Sequence, residues 1–228
     1  LQQMVNYYKM PLPASYFFLY NITMKSLPSI LPVFPLSGVI YFPKTNLPLN
    51  IFEERYLNLV NDAYERDKLM GMVQSKKESG SVYQVGCLGK ISDYQKSKDG
   101  RILINLTGIS RFKILEEISN DKLYREFKVD YKDFNEDNIE TNNLIDTKSL
   151  MDNTKKFFKR NGLLLNWKEF EKLDQSQKIN TLAMIAPITN EEKQKLLESK
   201  SLKNKVETLE SIISFYLHET NFNNQTVQ

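Results

Sequence analysis

The 228-residue sequence has one cysteine, Cys87, and one histidine, His218. An internal disulfide is therefore excluded, and so is a metal site assembled from Cys and His ligands. No apolar run approaches the ~20 residues that cross a bilayer. Charge of one sign is also missing: Lys and Arg total 31 against 28 acids, a net +3 spread along the chain. That balance argues against a polyanion-binding stripe. A phosphate-cradling loop needs Gly, four residues, then Gly-Lys and a hydroxyl. The nearest stretch, Gly86 to Ile91, lacks both the spacing and the hydroxyl.

Nucleophilic chemistry has no local signature either. Cys87 lies beside Gly86 and Gly89 and reads as a small apolar strand residue, while His218 reads as the C-terminal residue of a distant helix. The acid pairs Glu53-Glu54, Glu116-Glu117 and Glu191-Glu192 are adjacent in sequence. Neighbours point to different faces and cannot close on one substrate bond. No catalytic residue, no metal and no cofactor is expected, and a lone thiol fits a reducing cytoplasm.

What is present begins with punctuated apolar runs. Val33-Phe34, Val39 to Phe42 and Leu47 to Phe52 are separated by Pro32, Pro35, Gly38, Pro43 and Pro48. Proline lacks the donor that a helix interior or central ladder needs, so these runs predict three short strands. From Phe52 the period changes: Tyr56, Leu59, Val60, Ala63 and Tyr64 share one face of a helix, with Glu53 and Glu54 in its first turn.

Leu31-Pro-Val-Phe-Pro-Leu36, Phe42-Pro43 and Leu47-Pro-Leu-Asn-Ile-Phe-Glu-Glu-Arg-Tyr56 together resemble the opening signature of the Lon protease N-terminal domain. The chain departs from that pattern at Asn50 and Glu54, where the family often has His and Pro. Val85-Gly86-Cys87-Leu88-Gly89 and Leu106-Thr-Gly108-Ile-Ser-Arg111-Phe112 continue the resemblance, as does Glu191 to Glu198 with the amphipathic helix after it. The likeness spans most of 30–218. It implies a PUA-like twisted β-barrel or sheet domain with an inserted helix, followed by a C-terminal α-helical bundle: an α+β chain like a stand-alone substrate-binding domain. Its structural signature comprises Pro35, Gly38, Pro43, Pro48, Phe52, Glu53, Arg55, Tyr56, Gly86, Gly108, Arg111 and Phe112. Arg55 is expected to anchor the helix to the barrel through a carboxylate or carbonyls, which a buried Arg requires.

The remaining order follows from periodicity. Leu69 to Gln74 predicts a strand, 75–81 a solvated loop, and Val82 to Tyr94 a strand bent at its glycines. Lys98-Asp99-Gly100-Arg101 predicts a primed hairpin turn, with Ile102, Ile104 and Leu106 returning. Phe112 to Leu115 and Tyr124 to Tyr131 add two further strands. Helices are predicted from Leu144 to Arg160, closed by Asn161-Gly162, from Phe170 to Ala186, after the Thr189–Glu192 capping box, and from Ser201 to His218. The organisation reads as a flexible extension (1–29), a β domain (30–134), an acidic linker (135–143), a helical subdomain (144–220) and a flexible tail (221–228).

The resemblance implies a non-catalytic module that recognises polypeptide segments, without the motor or protease domains of Lon. An interdomain groove and sheet edges would receive the peptide, with Tyr41, Phe42, Leu47 and Tyr94 as candidate lining residues; for each, a place in the core is the competing reading. Two other readings stand beside it. Lys96, Lys98, Arg101, Arg111 and Lys113 around one hairpin would serve RNA, although the near-neutral charge and missing aromatic RNA signature argue against nucleic acid. An apolar seam from Leu202 to Tyr216, if uncovered, would serve an adaptor to full-length Lon. The expected partner is a polypeptide substrate or such a protein, with no membrane, and the chain a monomer or weak homo-oligomer.

Overall fold

Strands in this chain begin and end where proline and glycine interrupt the apolar runs. The computed structural model describes residues 27–76, 80–138 and 145–223. The expected extension up to residue 26, part of the 75–81 loop, most of the acidic linker and the end of the tail lie outside the described residues. Six strands form one sheet: β1 (Ile30–Leu36), β2 (Asn46–Ile51), β3 (Leu69–Gln74), β4 (Val85–Lys96), β5 (Ile102–Ile118) and β6 (Arg125–Asp130). Helix α1 (Glu54–Glu65) links β2 to β3 and buries Tyr56, Leu59, Val60 and Ala63, as its periodicity predicts.

The 17-residue β5 closes the sheet on itself. Its first half pairs with β2 from Ile51↔Ile102 to Asn46↔Thr107, while β4 runs along its other side. Beyond Lys113 it pairs with β6, and β6 in turn pairs with β1, β1 in parallel with β3, and β3 with β4. The ring β5-β4-β3-β1-β6 is therefore a closed barrel, and β2 hangs on its outside. Register shifts in the β4–β5 and β5–β6 ladders supply the bends that closure requires. Phe112 to Leu115 belongs to this one strand and not to a separate one.

Val39 to Phe42 is not a strand. Gly38 at φ 85° and Lys44 at φ 59° bracket it, and Pro43 cannot donate to a ladder. Its carbonyls are met from elsewhere: the Thr45 hydroxyl donates to Phe42 O at 2.6 Å and Asn180 Nδ2 to Pro43 O at 3.0 Å. The hairpin after β4 forms as predicted in place but not in type. Gly100 N donates to Ser97 O and Ser97 N to Arg101 O, with only Gly100 at positive φ, 88°, whereas a primed turn needs it at the first or at both of its central positions, here Lys98 and Asp99.

Inside the barrel pack Leu31, Val33, Leu69, Val73, Leu88, Phe112, Ile114, Phe127 and Val129. Outside it, a larger core runs without a break from Phe34, Met70, Met72 and α1 into the helical region. That region comprises α2 (Lys148–Arg160), the single turn α3 (Trp167–Phe170), α4 (Gln175–Ile185), α5 (Asn190–Glu198) and α6 (Leu202–Asn223). The stretch expected as one helix from Phe170 to Ala186 is two, because Asp174 caps α4 in a reciprocal box with Gln177. The box at Thr189 and Glu192 forms as its spacing predicts. Helix α6 is 22 residues long, about 33 Å, so His218 is interior to it and not its end. On its seam Val206, Leu209 and Ile213 are buried, while Leu202 and Tyr216 at its two ends are half-buried.

Gly108 shows how tightly the layers meet: a Cβ there would collide with the Phe42 carbonyl oxygen and Pro43 Cα, both backbone atoms that cannot swing aside. Gly108→Ala is expected to cost about 2 kcal/mol, within the usual range for overpacking, read as a lowered urea midpoint at unchanged slope.

Candidate functional site

The residues nominated for a peptide groove divide sharply. Tyr41, Phe42 and Leu47 are 2%, 0% and 2% exposed and belong to the continuous core, so no groove opens between barrel and helices at these positions. Tyr94 is half-buried; its ring stacks on Tyr64 at 4.3 Å and its hydroxyl donates to Asn61 Oδ1 at 2.9 Å. Arg55 does not anchor the helix. It lies in solvent, paired with Glu53 at 2.8 Å and stacked on Tyr56 at 4.6 Å. The anchor is Tyr56, packed on Phe34 with its hydroxyl donating to Pro35 O at 3.4 Å.

Cys87 is fully enclosed, and burial pushes its thiol well above the ordinary range, the state of an inert packing residue. His218 is exposed. The cations nominated for RNA do not gather. Arg111 is buried, Arg101 is held by Asp99, and Lys113 pairs with Val85 at the opposite end of the ladder from Lys96 and Ile102. Among the described residues no group of three or more His, Cys, Asp and Glu is placed to hold a metal ion.

The buried arginine of the chain is Arg111, and its partner comes from the segment that reads as a linker. Residues Lys132–Asn138 form a 3-10 turn. Asp137 in it accepts from Arg111 Nε at 2.9 Å, from Nη2 at 2.8 Å and from the Arg111 backbone N–H at 2.8 Å. The two side chains are 2% and 6% exposed. Arg111 Nη1 donates to Leu197 O at 2.9 Å and to Ser199 O, carbonyls at the end of α5 that the helix leaves unmet. The guanidinium lies 4.4 Å from the centre of the Phe134 ring. One side chain thus joins the barrel, the 3-10 turn and the helical region.

A second buried cation sits nearby. Lys205 Nζ donates to Asn180 Oδ1 at 2.7 Å and lies 5.4 Å from the Phe42 ring centre. Desolvation lowers its pKa to about 7, with repulsion from Arg111 adding and attraction from Asp137 and Cys87 opposing.

Outside this junction a cleft of about 370 Å3 opens where the start of β4, β5, the 3-10 turn and the end of α5 converge. Tyr83, half-buried, is its reachable apolar surface, with Val85 and Phe134 buried beneath it; Lys76, Lys113 and Lys200 reach it from three elements, and Asp133 and Glu198 stand at its rim. Arg111 lies against the Phe134 ring, so the buried ion pair fixes this floor. Volume, a reachable aromatic and convergent charged groups are those of a ligand-sized recess. Nothing in the sequence brings residues as far apart as 76, 113, 133 and 200 together; that follows only from barrel closure.

Known proteins resemble the chain consistently. A family model described as the ATP-dependent protease La (LON) substrate-binding domain matches residues 30–214. The Lon protease of Syntrophus aciditrophicus is 28% identical over 210 residues, covering 84% of this chain and 26% of that protein. The Lon protease of Heliobacterium modesticaldum is 30% identical over 101 residues, covering 42% and 12%. The chain thus spans about a quarter or less of the length of these relatives. Two solved structures share the fold, each at a TM-score of 0.57. One is the Lon N-terminal domain protein from Xanthomonas campestris, at 20% identity over 82% of this chain and 98% of that one. The other is the N-terminal domain of Mycobacterium avium complex Lon protease, at 16% identity over 81% and 98%.

Two outcomes follow from the buried charges. Asp137→Ala leaves Arg111 enclosed without a counter-charge and is expected to cost about 3–5 kcal/mol, while Arg111→Met with Asp137→Leu loses less than the single change; urea unfolding of the three proteins decides it. For Lys205, the folded chain gives up its proton near pH 7 while the unfolded chain keeps it to about the ordinary value of 10.5. The unfolded state binds more protons across that window, so stability rises as pH rises through it. Lys205→Met should remove that slope, measured by unfolding at several pH values between 7 and 10.

Proposed function

Because the chain belongs to the family of Lon substrate-binding domains, we propose that it is a non-catalytic module that binds polypeptide segments and performs neither proteolysis nor ATP hydrolysis. The observation that carries the reading is the cleft between barrel rim and α5, with Tyr83 as its reachable apolar surface. An aromatic surface beside a few charged groups suits a polypeptide, which offers both side-chain surface and backbone amides. The thiol of Cys87 is enclosed, which leaves it out of any surface chemistry. The cations that would favour RNA are dispersed or already paired.

The test titrates the full chain, by fluorescence anisotropy, against a labelled permanently unfolded polypeptide and a labelled structured RNA at low and moderate salt. Polypeptide binding that persists at moderate salt, weakened about tenfold by Tyr83→Ala as expected of a contact aromatic, is the expected result. Binding to RNA alone, falling steeply with salt, would overturn the reading in favour of phosphate contacts.

A further inference from the structure

The three lysines of the cleft differ from the cations around them. On the neighbouring strands Arg125 pairs with Glu117 at 2.6 Å, Lys128 with Glu116 at 3.0 Å and Lys122 with Glu126 at 2.6 Å. Lys76, Lys113 and Lys200 are all exposed and make no ion pair with a described residue. Lys113 faces Asp130 across the β5–β6 ladder, yet the carboxylate of Asp130 lies nearer Lys132, at 3.8 Å. Of the two acids at the rim, Glu198 is engaged by Gln194 Nε2 at 2.8 Å. Three ammonium groups outside any ion pair therefore share a recess of about 370 Å3 with two carboxylates, and Lys76 Nζ lies 5.3 Å from the centre of the Tyr83 ring.

We propose that this cleft selects polypeptide segments in which acidic side chains flank an apolar one, the carboxylates meeting Lys76, Lys113 and Lys200 and the apolar side chain resting on Tyr83. The proposal rests on the polypeptide-binding reading above and adds its charge preference. Ammonium groups on flexible stems suit carboxylates whose spacing varies from one segment to another, since each is a point charge without a fixed fork. Nucleic acid fits less well. A phosphate chain presents negative charge at every step, and Asp133 and Glu198 would lie beside it, whereas a peptide can place a backbone N–H against them. Partial enclosure lowers the local dielectric and strengthens each contact relative to open solvent, and opposite charge also speeds encounter.

The experiment compares three labelled peptides of one length and the same central aromatic residue, flanked by Glu, by Gln or by Lys. The full-length protein and its Lys76→Gln/Lys113→Gln/Lys200→Gln variant are each titrated with all three peptides and with a labelled single-stranded RNA. These exposed positions leave the core untouched, and circular dichroism verifies the fold. The expected result is tightest binding of the Glu peptide, with about a tenfold loss in the triple variant, as three exposed ion pairs of modest strength would give, and a smaller difference at high salt. Equal binding of all three peptides, unchanged in the variant, would overturn the charge preference while leaving polypeptide binding in place. Binding of no peptide would overturn both. RNA binding that depends on the same three lysines and exceeds peptide binding would assign the cleft to phosphates instead.

Discussion

A guanidinium enclosed by protein must find a partner for every donor it can, and Arg111 is enclosed on all sides. Its requirements explain much of the architecture. The carboxylate of Asp137 takes the Nε and Nη2 edge, and the carbonyls of Leu197 and Ser199 take Nη1. Arg111 stands on a barrel strand and its partners come from a 3-10 turn and the end of a helix, so none of the three can shift without stranding a buried charge. Such a pair adds little net stability over an apolar replacement, because desolvation offsets most of its Coulomb energy. What it specifies is position. Competing arrangements of the same apolar surfaces would leave the charge unmatched, and they are excluded on that ground.

The second constraint is closure of the sheet through β5. A strand that pairs with β2 and β4 in one half and with β4 and then β6 in the other must bend, and the register shifts lie where it does. Close approach of the layers then limits which residues fit. Gly86 would drive a Cβ into the Met72 carbonyl and the Phe112 ring, and Gly108 would meet the backbone at Phe42. The segment from Val39 to Phe42 is pressed against this surface without joining the ladder. It is held by Thr45 and by Asn180, the same Asn180 that accepts from Lys205. Barrel and helices share one hydrophobic core and several polar ties, among them Arg111 to the end of α5, Asn180 to Pro43 and Gln194 to Val85, which makes the helical region part of the barrel's outer wall.

The legible parts of this fold were those written in local chemistry. Proline spacing located β1 and β2, the i, i+3, i+4 pattern of Tyr56, Leu59, Val60 and Ala63 located α1, and the Thr189–Glu192 spacing located the start of α5. Asp174 and Gln177 carry an equivalent box that splits the helical stretch after Phe170, a signal of the same kind. The illegible parts depend on contacts distant in sequence. Asp137 sits among acids and asparagines that read as a solvated linker, and only the fold shows it facing a buried Arg111. Arg55 carried the stronger motif but faces solvent. Tyr41, Phe42 and Leu47 were candidates for an interdomain groove with the core as the competing reading; helices cover them, and the core reading holds.

That covering decides where binding can occur. A sheet face packed under helices offers no apolar floor to a ligand, and β2, the strand outside the ring, carries Pro48 in its middle, which removes a donor from an edge that might otherwise pair with another strand. At the rim, where the helical cover ends, Tyr83 is left half-buried. The Arg111 junction terminates that cover, since it binds the last carbonyls of α5 and holds Phe134 in place beside them. The same interaction that closes the interior therefore buries Phe134 beneath the margin, with Lys113 exposed two residues after Arg111 on the same strand. A recess built this way has a floor fixed by buried contacts, with Phe134 held against Arg111, beside lysines on flexible stems.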